Sequence, residues 1–152
     1  MIRLANESDI GSIADMISRF SEEHFIQCSE EYVSSRKVCS LIHKSIEDKL
    51  CAVSEGADGL NGVVLGIILF NMWSDVAKEI REAALWVTPS HRGGMVGGRL
   101  LLKYNQLCEE AKKRDPYIKL SSICLMGDHR LTEGSLSRLG YVKDYTSYTK
   151  ES

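Results

Sequence analysis

The sequence predicts one domain of the α+β class that spans residues 1–152. Its length of 152 residues fits one domain, since domains usually hold about 100–200 residues. Its composition, 43% apolar and 26% charged, is that of an ordinary globular protein. Apolar residues follow the helical period in some segments and the strand period in others. The resulting order is strand, two helices, several strands, helix, strand, helix, strand, which is typical of an α+β domain.

A strand and two helices are predicted first. Residues 2–5 form a short strand, after which Asn6 or Ser8 can cap a helix by accepting hydrogen bonds from free backbone N–H groups. The apolar residues of this helix recur at helical spacing as far as Phe20 and form one buried stripe. A second helix is predicted over residues 30–49.

Three strands follow, over residues 50–54, 63–73 and 79–87. The first two are separated by two hairpin signals, Asp58-Gly59 and Asn61-Gly62. Regular alternation in the third places Ile80, Ala84 and Trp86 on one face and Ala83, Leu85 and Val87 on the other. Trp73 and Trp86 are expected in the core or in the wall of a groove.

The last part of the chain begins with a glycine-rich turn over residues 92–98. An amphipathic helix follows and ends at Asp115-Pro116, because the residue before proline disfavours helix. Residues 118–126 are predicted as a strand, Thr132 caps a short helix that runs to Leu139, and residues 141–149 close the domain as a strand.

Charge and composition argue against several classes of protein. The net charge is −2 and no basic cluster occurs, which argues against a nucleic-acid binder. The longest apolar run, residues 63–70, is far shorter than the ~20 residues of a membrane-spanning helix, and the polar N-terminus does not resemble a secretory leader. Five cysteines without a C-x-x-C pair predict buried thiols in a reducing compartment rather than disulfides or a metal site. We therefore expect a soluble, cytoplasmic protein without a membrane anchor or metal.

The glycine-rich turn is the most informative segment for function. It carries Gly93, Gly94, Gly97 and Gly98 between an apolar strand and an amphipathic helix. Glycines let the backbone approach a ligand closely, and the free N–H groups of a helix N-terminus attract anions. Arg92, and Arg99 one turn later, can add charged donors. The pattern predicts a phosphate or pyrophosphate site, the alternative being a turn whose glycines serve only tight packing.

This turn differs from two common phosphate motifs and resembles a third. It lacks the G-K-[ST] of a P-loop and the spacing of the dinucleotide fingerprint. The residues from Arg92 to Gly97, preceded by Val87-x-Pro89 and followed by Leu100-Leu101, resemble the acetyl-coenzyme A signature Arg/Gln-x-x-Gly-x-Gly/Ala of the GNAT superfamily of N-acetyltransferases. Weaker resemblances in the family's order cover nearly the whole chain: residues 2–10, residues 64–67 and Leu139-Gly140-Tyr141.

The resemblance implies a mixed, mostly antiparallel sheet flanked by helices, and transfer of an acetyl group from acetyl-coenzyme A (acetyl-CoA) to a primary amine by direct attack. Its implied cofactor-binding residues are Leu85, Val87, Arg92, Gly93, Gly94, Met95, Val96, Gly97 and Gly98. The backbone from Leu85 to Val87 would supply donors to the developing oxyanion.

Three positions depart from the family pattern. Met95 stands at the position of the first motif glycine, so its side chain must point away from the pyrophosphate. Gly94, directly before it, is expected to adopt part of the backbone conformation that this glycine would otherwise provide. Leu136 stands where many members carry a tyrosine that protonates the leaving thiolate. His129 stands in place of a frequent asparagine. The Arg-Gly-Gly variant of the motif also looks similar to GNAT-like sequences of bacteriophages.

Glu82 is the first candidate for the general base, because it is an acid within an otherwise apolar strand. The alternative is an outward, solvated strand glutamate. Glu79 is a weaker candidate at the start of the strand. Three further polar residues, Glu22, Glu23 and His24, lie in a connection that in the family often lines the acceptor site, although an ordinary solvated loop is the simpler interpretation. Tyr145 and Tyr148 are further candidates to face the acceptor.

The leading hypothesis is therefore a GNAT-type acetyltransferase whose partners are acetyl-CoA and an unidentified amine. The alternative is a non-catalytic module of the same fold that binds coenzyme A or a protein partner, for instance in a virion. The acceptor stays open among small amines, peptide N-termini, lysines and aminoglycosides. A homodimer is one option for the oligomeric state.

Overall fold

The computed structural model describes residues 1–24, 34–124 and 133–144, apart from the side chains of His24 and Glu133. The predicted cap Thr132 and the ends of several predicted segments lie outside these ranges. The strands are β1 (Ile2–Leu4), β2 (Cys51–Gly56), β3 (Gly59–Phe70), β4 (Lys78–Val87) and β5 (Ile118–Ser122). The helices are α1 (Ile10–His24), α2 (Ser35–Glu47), α3 (Val96–Arg114) and α4 (Glu133–Arg138).

The five strands form one sheet in the order β1-β2-β3-β4-β5. The pairs β1-β2, β2-β3 and β3-β4 are antiparallel, whereas β4 and β5 are parallel. Parallel pairing requires a long crossover, which α3 provides. The predicted α+β class with a mixed, mostly antiparallel sheet is confirmed.

Helices cover both faces of the sheet. One face packs against α1 and α2 in a core that includes Ile13, Ile42 and Trp86. The other face packs against α3 in a core that includes Ile80 and Tyr104. The helical stripes predicted from the sequence therefore supply the two cores.

Side-chain caps precede both helices on the first face, α1 and α2. Asn6 caps a short 3₁₀ turn that leads into α1, and its side chain accepts a hydrogen bond from Ser8 N–H at 2.9 Å. Asp9 completes a capping box and also pairs with Arg3 at 2.8 Å. Ser34 caps α2, so this helix starts later than the predicted residue 30 within the described part of the chain.

A β-bulge in β4 separates Glu82 from Ala84. Leu65 pairs with Ala84 while Gly66 pairs with Glu82, so Ala83 is the extra residue. Ile80 consequently lies in the α3 core, and Ala84 and Trp86 lie in the opposite core. The prediction that Ile80 shares a face with Ala84 and Trp86 is wrong, because the bulge reverses the alternation.

The turns before and after β3 also differ from the prediction. Gly56 pairs with Gly59, so the hairpin turn is Ala57-Asp58, one residue earlier than the predicted Asp58-Gly59, and Asn61-Gly62 lies inside the strand. The strand β3 ends at Phe70, before Trp73, which is 87% exposed. The expectation that Trp73 lies in the core or in a groove wall is wrong, whereas Trp86 is buried in the core.

Near the C-terminus the regular structure is shorter than predicted. The strand β5 ends at Ser122, and residues 123–124 are irregular. The part of the predicted closing strand that the structure describes, residues 141–144, is also irregular, and its remainder lies outside the described residues.

Candidate functional site

The chain leaves β4 and enters α3 through the glycine-rich turn. A short 3₁₀ turn, Pro89–His91, comes first. Gly93 then adopts φ +85°, a left-handed conformation that favours glycine. Gly94 has no positive φ, so the special backbone conformation expected at Gly94 occurs at Gly93 instead. Met95 precedes α3 with φ −88° and is 67% exposed, and the orientation of its side chain away from the pyrophosphate stays a prediction.

The N-terminus of α3 offers free backbone donors. No side chain of the described residues caps this helix. The N–H groups of Val96, Gly97 and Gly98 form its first turn, where such groups lack intrahelical partners. A Cβ atom built on Gly98 would meet no atom within 4 Å, and one on Gly97 would meet its nearest atom at 3.8 Å. These donors and the open space above them fit a phosphate or pyrophosphate group.

Arg92 connects the turn to α1. Its Nε donates to the carbonyl oxygen of Val87 at 2.8 Å, and its Nη2 reaches both carboxylate oxygens of Glu23 at 2.8 Å. Its guanidinium also lies 5.4 Å from the centre of the Trp86 ring. The side chain predicted to meet the pyrophosphate is thus held toward α1 in this structure, and its role in cofactor binding stays a prediction.

The strand β5 pairs only with the first part of β4. Within the described residues, their pairing ends at Arg81 and Ser122. Leu85 and Val87 lie beyond this point and pack their side chains against the α3 core. At these two residues, next to the glycine-rich turn, the edge of β4 on the side of β5 is therefore not paired with β5.

Glu82 lies where the pairing of β4 with β5 ends. It is 8% exposed, and its Oε2 accepts a hydrogen bond from the backbone N–H of Cys124 at 3.1 Å. Burial raises the pKa of Glu82 to about 7, and the Cys124 hydrogen bond offsets part of this shift. The alternative of an outward, solvated glutamate is wrong. A buried carboxyl group that titrates near neutral pH can accept a proton from a substrate.

The weaker candidates for the base have other surroundings. Glu79 accepts a hydrogen bond from Arg81 at 2.6 Å and so forms an ion pair. Glu22 is exposed at the end of α1, and Glu23 holds Arg92. His129, Tyr145, Tyr148 and the side chain of His24 lie outside the described residues. Leu136 lies in the short helix α4, and its side chain is half-buried.

The structure also shows an apolar cavity that the sequence did not reveal. Its volume is about 230 Å³, and it lies between α1, α2 and the middle of the sheet. Its walls include Phe20 from α1, Leu41 from α2 and the bulge residues Ala83 and Ala84. Each of these looks like an ordinary core residue in the sequence. The adjacent pair of small residues in β4 was the available signal.

No three side chains of the types that bind metals lie together in residues 1–24, 34–124 and 133–144. None of the helices there is both long and apolar enough to cross a membrane.

No protein-family model matches the chain, and no curated protein is significantly similar to it in sequence. Solved structures do resemble it. A predicted acetyltransferase from Clostridium acetobutylicum, crystallised with acetyl-CoA, superposes with a TM-score of 0.69 at 13% identity, over 100% of this chain and 95% of that one.

Two enzymes with named acceptors are also similar in structure. Glucosamine-6-phosphate N-acetyltransferase from Arabidopsis thaliana has a TM-score of 0.62 at 11% identity, over 99% of this chain and 97% of that one. Ribosomal-protein-alanine N-acetyltransferase from Brucella melitensis has a TM-score of 0.54 at 22% identity, over 75% of this chain and 68% of that one. The chain has the fold of the GNAT acetyltransferases.

Proposed function

We propose that the protein transfers the acetyl group of acetyl-CoA to the nitrogen of a primary amine. One observation carries the proposal: the buried carboxylate of Glu82 lies where β4 and β5 part, on the strand that leads into the uncapped glycine-rich turn. A candidate base and a candidate anion site thus share one strand and its following turn. The fold of the acetyltransferases described above supports this assignment.

The residues of the turn fit the pyrophosphate of coenzyme A. The N–H groups of Val96, Gly97 and Gly98 would donate to it, and the open space at Gly98 admits its close approach. Leu85 and Val87 would offer the backbone edge that β5 does not pair to the rest of the cofactor. When bound, acetyl-CoA supplies an acetyl group activated as a thioester.

Glu82 would accept the proton of the attacking amine. The new bond forms between nitrogen and the acetyl carbon, the carbon–sulfur bond breaks, and its electron pair leaves on sulfur. A base is most effective when its pKa lies near the working pH, and the pKa of Glu82 near 7 meets this condition. Leu136 offers no acidic proton, so we expect the sulfur to take its proton from water, as a thiol of pKa ~8.5 permits.

We also propose that the protein is located in the cytoplasm. Cys51 and Cys108 are buried free thiols, as is usual for proteins of a reducing compartment.

The test is the release of free thiol from acetyl-CoA in the presence of a panel of amines, with mass spectrometry of the N-acetylated product. Glu82→Gln keeps the shape of the side chain and removes the base, so the turnover number should fall ~10²–10⁴-fold while acetyl-CoA affinity is unchanged. Glu79→Gln is the matched control on the same strand, because Glu79 is paired with Arg81 rather than placed at the opening. This control should keep wild-type turnover.

Two results would contradict the proposal. Acetyl-CoA binding without thiol release for any amine would support a non-catalytic module instead. Wild-type turnover in Glu82→Gln would show that water or another residue removes the proton.

A further inference from the structure

The apolar cavity lies on the face of the sheet that α1 and α2 cover. It has a volume of about 230 Å³ and an open mouth. A cavity of ~150 Å³ already holds a benzene ring. The space is therefore sufficient for a side chain of the size of leucine or phenylalanine.

The chemistry of the walls selects an apolar group. The apolar lining residues come from α1, α2, β3 and β4: Ile17, Phe20, Val38, Leu41, Ile42, Leu65, Ala83 and Ala84. Ser21 donates its hydroxyl hydrogen to the carbonyl oxygen of Ile17 at 2.9 Å, and Ser34 caps α2. A sugar or a polyamine placed here would leave many of its polar groups without partners, which is costly.

Lys37 gives the cavity one charge. It is the charged residue among those the structure describes in the lining, and its side chain is exposed. None of the described lining residues carries a carboxylate, and none of the ion pairs among the described residues involves Lys37. A ligand that places a carboxylate at the mouth is attracted by this ammonium group, and a second cationic group there is repelled.

The bulge in β4 places the cavity beside Glu82. Ala83 and Ala84 both line the cavity, and Glu82 directly precedes them in the chain. The carboxylate and the cavity lie on opposite faces of the sheet, at the point where β5 no longer pairs with β4. The edge of β4 that β5 leaves unpaired is therefore the route by which the amine of a ligand seated in the cavity would reach Glu82.

We propose that this cavity binds the apolar side chain of the acceptor, and that the acceptor is an apolar α-amino acid whose carboxylate faces Lys37. The proposal rests on the acetyl transfer proposed above for the fate of the amine, but the binding of the side chain and the carboxylate does not depend on it. The reaction would convert such an amino acid to its N-acetyl derivative and release coenzyme A as the free thiol.

A ligand that cannot react tests the cavity separately from the chemistry. The probe is 3-phenylpropanoate, which has the ring and carboxylate of phenylalanine without its amine, and its affinity is measured by titration calorimetry. The alcohol 3-phenylpropan-1-ol keeps the ring and loses the charge. We expect the carboxylate to bind about three- to tenfold more tightly than the alcohol, as expected for one exposed ion pair with hydrogen bonding.

Three variants locate the binding. Ala83→Leu fills the cavity from an exposed position and should weaken binding of both probes at least tenfold, with an unchanged far-ultraviolet spectrum. Lys37→Glu should weaken the carboxylate about tenfold and leave the alcohol unchanged. Arg36→Glu is the matched control, because it changes the same charge on the neighbouring residue of α2 outside the lining, and it should have no more than a small effect on either probe.

The outcomes separate this inference from the proposed function. Unchanged probe affinity in Ala83→Leu, or equal losses in Lys37→Glu and Arg36→Glu, would overturn the inference even if amines are acetylated. Probe binding with the expected pattern, but without acetylation of phenylalanine or leucine, would confirm the cavity as a ligand site and contradict the acceptor assignment. Acetylation of serine or glucosamine as efficiently as of leucine would also overturn it.

Discussion

Two groups of glycines, one in β3 and one in the glycine-rich turn, have different surroundings. In β3, a Cβ atom on Gly62 would lie 2.9 Å from Leu100, and one on Gly66 would lie 2.8 Å from Tyr104. In the turn, a Cβ atom on Gly94 would have its nearest contact at 3.7 Å, and one on Gly98 would have none within 4 Å. The first group is required by the packing of α3 against the sheet, and the second is not.

This difference indicates that a ligand approaches the turn rather than β3. Glycine in a helix lowers stability by about 0.5–1 kcal/mol relative to alanine. Because there is open space beside Gly98, packing does not require a glycine there, and the fold gains nothing from it. Gly93 alone in the turn has a conformational reason, its φ of +85°. The remaining glycines of the turn make sense if a ligand approaches the backbone there, which is the role proposed for the pyrophosphate.

The largest effect on stability is expected for Gly66→Ala. The new methyl group would overlap the ring of Tyr104, which is fully buried and has no room to move. Overpacking of this kind costs ~1–3 kcal/mol, so the melting temperature should fall by several degrees in thermal denaturation. Gly11→Ala is the control, because its Cβ would meet nothing within 4 Å in α1. A melting temperature equal to that of the wild type would show that β3 and the turn do not differ as described.

Arg92→Glu tests the turn as an anion site. An acidic side chain there opposes the pyrophosphate and also breaks the contact with Glu23. The dissociation constant of acetyl-CoA should rise at least tenfold by calorimetry, because a charged hydrogen bond is worth ~1.5–3 kcal/mol. Glu23→Gln removes the α1 contact alone and separates the two effects. An unchanged constant in Arg92→Glu would remove its side chain from the cofactor site.

The smallest effect, and the sharpest contrast with Gly66, is expected for Gly98→Ala. The substitution should stabilise the protein by about 0.5–1 kcal/mol, because alanine favours the helix and meets no atom. It should also weaken acetyl-CoA binding about two- to tenfold, since it disturbs a backbone hydrogen bond worth ~0.5–1.5 kcal/mol. Gly11→Ala should match the gain in stability and leave binding unchanged. Equal binding in both variants would mean that no ligand approaches Gly98.

Most elements of the fold could be predicted from the sequence, because each has a clear period or cap. The bulge at Ala83 could not, since the apolar residues of β4 fit a regular strand equally well and only the pairing with β3 reveals the extra residue. The exposure of Trp73 could not be predicted either: its hydrophobicity predicts burial, yet the strand ends before it.

The candidate site could be predicted in part. Glu82 and the glycine-rich turn stand out in the sequence, because an acid in an apolar strand and four clustered glycines are unusual. The contact between Arg92 and Glu23 and the apolar cavity could not be predicted. Both join residues far apart in the chain, and the residues of the cavity have the same helical and strand periods as a closed core.

The pH dependence of acetyl transfer tests the role of Glu82 most directly. Only the ionised carboxylate can accept a proton, so kcat/KM of the wild type, calculated for the unprotonated amine, should rise about tenfold per pH unit below the pKa and level off above it. The pKa of Glu82 of about 7 places this bend near neutral pH. In Glu82→Gln the bend should disappear, and the same quantity should not depend on pH in this range. The same bend in both proteins would contradict the assignment of Glu82 as the base.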